Sequence, residues 1–157
     1  MTRRIFVPDA VHTLIYGRAG KQLHAEADDP ADLAAAAMHE AGHAVLIDHV
    51  GGRRIGGIRI LPDGSGQACD DLWLPPDAPA ECWIAVYLAG AMAQNVHLDS
   101  WDGSEDKDAI RDLLAELTLD EGLAAMQKAR RIAAYGLKVH AKRMAKIARR
   151  LEKTGHA

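Results

Sequence analysis

The chain has 157 residues, 48% hydrophobic and 26% charged, with a net charge of −3. That is enough for one domain with a real core, and the composition is that of a globular protein, not a disordered one. The two cysteines, Cys69 and Cys82, form no CxxC pair and no dense framework, which argues against a disulfide scaffold.

In MTRRIFVPDAVHTLIYG, two arginines precede no apolar run long enough for a signal peptide. No stretch of the chain approaches the roughly 18 consecutive apolar residues of a membrane span. A cytoplasmic protein is therefore expected. Pro8-Asp9 can open a short helix through Tyr16. The following YGRAGKQ has only two residues between its glycines, and Gln22 follows Lys21. A phosphate loop needs four residues there and Ser or Thr after the lysine, so no nucleotide site is expected.

Asp29-Pro30 is a helix start, with Asp29 able to cap and Pro30 suited to the first helical position. The helix should run to about Val50 and stop at Gly51-Gly52. It carries MHEAGHAVL, in which His39-Glu40-Ala41-Gly42-His43 has the spacing HExxH. Residues four apart lie about 40° apart around a helix, so His39 and His43 project from one face toward one point. Neutral imidazoles suit zinc. Glu40 is about 100° round from His39, placed to take a proton from a metal-bound water without being a ligand. Incidental polar residues on an alanine-rich helix would give the same letters. Gly42, however, costs about 1 kcal/mol relative to alanine in a helix, which makes sense only if something approaches the backbone closely there.

A catalytic zinc usually has three protein ligands. His49 stands ten residues after His39, the metzincin spacing, but Leu46 occupies the position of the turning glycine. On a straight helix His49 points about 80° away from His39 and lies more than two turns along, so it cannot share the metal.

Residues 53–74, with Ile55, Ile58 and Ile60 between glycines and Pro-Asp-Gly, read as one or two short strands. The strand around Ile58 to Leu61 has two readings, an edge for an extended substrate to join or simple core packing. Pro75, Pro76 and Pro79 make a rigid loop. Residues 80–98 read as an apolar, buried helix. The next helix begins near Ser104, with Ile110, Leu113, Leu114 and Leu117 on one face. Its first turn offers Asp102, Glu105, Asp106 and Asp108 as carboxylate ligands. Asp106 lies four residues before Ile110 and seven before Leu113, on the buried face, and is the preferred third ligand ahead of Asp102 and Glu105. Asp108 faces outward. A glutamate in the Glu81 region would instead indicate another HExxH family.

Thr118-Leu119-Asp120-Glu121 is a capping-box pattern that opens a further helix, with a break or bend expected at Gly136. A last helix carries Met144, Ile147 and Leu151. Residues 120–157 hold ten Lys or Arg against three Asp or Glu, leaving −10 on residues 1–119. The basic end, including Lys142, Arg143, Lys146, Arg149 and Arg150, reads as a solvated helix face. The alternative is a regulatory zinc-binding module that contacts nucleic acid or an acidic partner.

MHEAGHAV resembles the zinc motif of the FtsH-type ATP-dependent zinc proteases. GIRILPDGSGQA, YLAGAMAQNV, GSEDKDAI and VHAKRMAKIARRLEK resemble further segments of that family in the same order, over residues 30–152. The resemblance implies a predominantly α, α+β peptidase domain with a small strand segment after the HExxH helix. It implies Zn2+ held by His39, His43 and an aspartate near Asp106, with Glu40 as catalytic acid and base. Lys107 follows Asp106, so the match can slip to Asp108. The family's Gly-Arg-Ala-Ala-Glu reads Gly-Ala-Met-Ala-Gln here. The chain has no room for the family's ATPase or membrane anchor. A free-standing, single-domain peptidase acting on peptides or exposed protein segments is the expectation, with no nucleotide and with oligomeric state open.

Overall fold

The computed structural model describes residues 30–60, 66–68, 71–95 and 105–157. The expected helix from Pro8 to Tyr16, the Asp29 cap, Cys69 and Asp102 lie outside these residues. Among them the fold is predominantly helical with a small strand segment. Five helices are present: α1 Pro30–His49, α2 Ala80–Ala93, α3 Glu105–Ala115, α4 Leu119–Val139 and α5 Ala141–Thr154. Four short strands lie between α1 and α2: β1 Arg53–Ile55, β2 Ile58–Ile60, β3 Gly66–Ala68 and β4 Asp71–Trp73. Among the described residues no helix is long and apolar enough to cross a membrane.

Two helices organise the core. α1 packs on α2 and α5, and α2 packs in turn on α4 and α3. Leu46 and Ile47 of α1 and Ile84 and Leu88 of α2 are fully buried. The α1–α2 contact is close because small residues line it. A Cβ on Gly42 would lie 2.6 Å from the Ala89 carbonyl oxygen and 2.9 Å from the Ala93 Cβ. This is the approach that the glycine inside HExxH implied. α1 ends at Gly51, which takes the left-handed φ of +80°, the usual glycine exit from a helix.

The helix ends follow local chemistry. Thr118 and Glu121 form a reciprocal capping box at the start of α4. Gly136 does not break α4, which continues to Val139 and turns at His140. Its role is packing: a Cβ on Gly136 would lie 2.9 Å from His49 Cδ2 and 3.0 Å from Leu46 Cδ1. Ile110 is buried on α3, with Leu113, Leu114 and Leu117 packed against the core.

The strands form two antiparallel pairs, β1 with β4 and β2 with β3. β2 is packed into the core through Ile58 and Ile60 and is not an open edge. Its Ile58 N–H donates to the Ala157 carbonyl at 2.8 Å, the Ala157 N–H returns to Ile58 at 2.9 Å, and the Ile60 N–H donates to Gly155 at 2.9 Å. β3 covers the other side. Both edges of β2 are occupied, so an extended substrate cannot join it while the residues after α5 lie there.

Candidate metal centre

Two helices, α1 and α3, bring His39, His43 and Asp106 to one point. The first two lie one turn apart on α1, and Asp106 is in the first turn of α3. The two Nε2 atoms are 2.9 Å apart. Asp106 Oδ2 lies 3.1 Å from His39 Nε2 and 3.2 Å from His43 Nε2. The group is largely enclosed, with side-chain exposures of 19% for His39, 8% for His43 and 12% for Asp106.

The outer nitrogens settle what the inner ones present. His43 Nδ1–H donates to the Val86 carbonyl of α2 at 2.7 Å. His39 Nδ1–H donates to Gln94 Oε1 at 3.2 Å, and Gln94 Nε2 donates to the Ala35 carbonyl at 2.9 Å. The second bond fixes which way the Gln94 amide faces. With the Nδ1 protons held there, neutral imidazoles turn lone pairs inward, toward a carboxylate oxygen. Three acceptors converging at such distances repel one another unless a cation lies among them. This arrangement, two imidazoles with anchored far nitrogens and one carboxylate, could hold a metal ion. It is also the group among the described residues whose donor atoms are all mutually close enough to hold a metal ion.

Two further observations fit a metal. A Cβ on Gly90 would lie 2.6 Å from each Nε2 and 2.5 Å from His39 Cε1. The bare backbone of α2 therefore makes room beside the ligand atoms. Glu40 is only 8% exposed, yet its Oε2 is buried without a hydrogen-bond partner in the described structure. An orphaned carboxylate oxygen beside a ligand set marks a place where a further polar group belongs.

The electrostatics say the same. Burial pushes the Glu40 carboxyl above its ordinary value, with charges on His43 and His39 opposing it. Burial alone would lower His43, but Asp106, Glu40 and the Val86 carbonyl raise it to about 9. Burial would raise Asp106, and the imidazoles beside it instead hold it well below the usual carboxylate range. Without a metal, a proton on the imidazole pair supplies the positive charge the site demands. Tyr87, on α2 beside Val86, is 2% exposed. Burial and the charge of Asp106 push its phenol upward, so it stays protonated.

The other sequence candidates are elsewhere. His49 Nδ1 faces His140 Nε2 at 3.2 Å, at the far end of α1. Asp108 is exposed and paired with Arg111. Glu81 contacts Lys128 Nζ at 3.4 Å. The Glu105 side chain lies outside the described residues. Sequence reasoning did not find Gly90, Val86 or Gln94. A glycine in the middle of an apolar, alanine-rich helix was a signal for the first; a backbone carbonyl leaves none.

No protein-family model matches the chain, and no curated protein or solved structure matches it.

Proposed function

We propose that the chain is a zinc-dependent metallopeptidase that hydrolyses peptides or exposed protein segments without ATP, as its resemblance to the FtsH-type proteases implies. The observation that carries this reading is the orphaned Glu40 carboxylate beside three converging ligand atoms. Two imidazoles and one carboxylate are a donor set typical of catalytic zinc, which leaves a position open for substrate chemistry. Zinc bound there supplies a Lewis acid and lowers the pKa of water toward about 7.

The chain's own residues have separate tasks. Val86 and Gln94 hold the two imidazoles in the ligand tautomer. Asp106 supplies negative charge and stays ionised. Burial raises the Glu40 carboxyl above its ordinary value, a direction that suits a group that must accept a proton and then give it to a leaving amine. The expected substrates are extended peptides or exposed protein segments.

Metal-stripped protein should regain casein cleavage with one zinc equivalent per chain. His39→Ala and His43→Ala should each lose zinc and cleavage together. Zinc binding that is indifferent to both substitutions would overturn the reading.

A further inference from the structure

α1 carries a second pair of imidazole nitrogens at its other end. His49 is its last residue, and its Nδ1 lies 3.2 Å from Nε2 of His140, the residue joining α4 to α5. Two nitrogens bound to one ion at about 2.0–2.1 Å, with an angle between about 90° and 110°, lie about 2.9–3.4 Å apart. The ring arrangement also parallels that of the first pair. His49 and His140 have centroids 5.3 Å apart at 71°, and His39 and His43 have centroids 4.6 Å apart at 80°.

Both rings are seated by the fold. Gly136 leaves the space that the His49 ring fills, since a Cβ there would lie 2.9 Å from Cδ2 and 3.2 Å from Cγ. The His140 side chain makes no capping bond to α5, so its Nε2 is directed at His49 and not at the backbone. Neighbouring Asp48 is engaged by Arg54 and Arg143, which leaves the imidazoles as the donors at this point.

We propose that His49 Nδ1 and His140 Nε2 form a second metal site, a two-imidazole clip for a late first-row divalent ion, copper(II) most tightly. Imidazole suits copper, nickel and zinc, and copper(II) heads the affinity order for nitrogen donors. Among the described residues two protein ligands converge here, so water completes the coordination and the site is weaker than the three-ligand centre. The proton now shared between the facing nitrogens moves to a far ring nitrogen by tautomer exchange, so no net charge need be expelled. A bound ion would tie the end of α1 to the α4–α5 junction.

The test uses the full chain with His39→Ala and His43→Ala, which removes the first centre and makes the outcome independent of the proposed peptidase activity. Copper(II) sulfate is titrated and followed by its visible absorption and by nitrogen hyperfine structure in electron paramagnetic resonance. One equivalent with two-nitrogen coupling is expected. Adding His49→Gln or His140→Gln should weaken that binding at least about tenfold, with circular dichroism checking that helix content is unchanged. In parallel, copper should selectively broaden the amide signals around His49 and His140 in the parent variant. Binding that survives both glutamine substitutions, or broadening centred elsewhere, overturns the proposal.

Discussion

Gly90→Ala isolates the geometry of the metal centre from its chemistry, because it removes no ligand. The added methyl would stand 2.6 Å from both Nε2 atoms and 2.5 Å from His39 Cε1. Ordinary contact begins near 3.4 Å, so each ring must retreat by about 1 Å, whereas metal–ligand distances tolerate only about 0.2 Å. Both imidazoles therefore leave coordination range together. Disturbing an outer partner of a ligand already costs about 10–100-fold in affinity, and displacing two ligands should exceed that. Folding should suffer less. Alanine is favoured over glycine by about 1 kcal/mol in a helix interior, which offsets part of the cost of moving two ring ends. Zinc competition against a chromophoric chelator gives the affinity, and urea unfolding of the metal-free protein gives the stability. The expected result is zinc affinity lowered by more than about 100-fold with metal-free stability changed by no more than about 1 kcal/mol. A Gly90→Ala protein that binds zinc within about threefold of wild type would refute the argument that bare backbone is what admits the metal.

Asp106→Ala should lose zinc, whereas Asp108→Ala, on the exposed side of α3 against Arg111, should retain it; metal content after gel filtration decides. Gln94→Ala removes the acceptor that pins the His39 tautomer and should weaken zinc by about 10–100-fold, measured by the same chelator competition. The metal-free chain should lose stability as pH rises. His43 is raised from 6.5 to about 9, so its contribution is complete below about pH 6.5 and disappears through about pH 9, by up to about 3 kcal/mol. Urea unfolding across that range reads the change. A rise in metal-free stability over the same range would contradict the assignment of the proton to the imidazole pair. If zinc takes that proton's place, binding at pH 7 should release about one proton, visible as buffer-dependent heat in calorimetry.

Legibility in the sequence followed the range of the interactions. The helix over 30–49, the capping box at Thr118 and the buried face of α3 rest on periodicity and local hydrogen bonds, which a short window of sequence contains. The same face argument pointed at Asp106, because a carboxylate in register with Ile110 and Leu113 must look inward. Gly42 was readable as a close approach, but its partner Ala89 was not. Val86 and Gln94 reach their histidines across 43 and 55 residues, and nothing local marks either. Gly136 was misread as a possible break, since a helical glycine weakens the backbone and makes room with the same letter; here the room is for His49. Of the two readings of β2, core packing holds, with Ile58 and Ile60 buried; what covers its edge was not legible, for the same reason of range. Its hydrogen bonds go to Gly155 and Ala157 at the other end of the chain, and a three-residue strand does not announce which edge is covered.

The central claim is that Glu40 moves the proton while His39, His43 and Asp106 hold the metal. Cleavage of denatured casein by zinc-reconstituted wild type and Glu40→Gln, at equal zinc content, tests it most directly. Removal of a positioned acid–base group typically costs about 10²–10⁴-fold in rate. The account predicts one zinc per chain in both proteins, with cleavage in the wild type and a loss of that size in the variant. Equal cleavage by the two proteins, or none by fully zinc-loaded wild type, would contradict it.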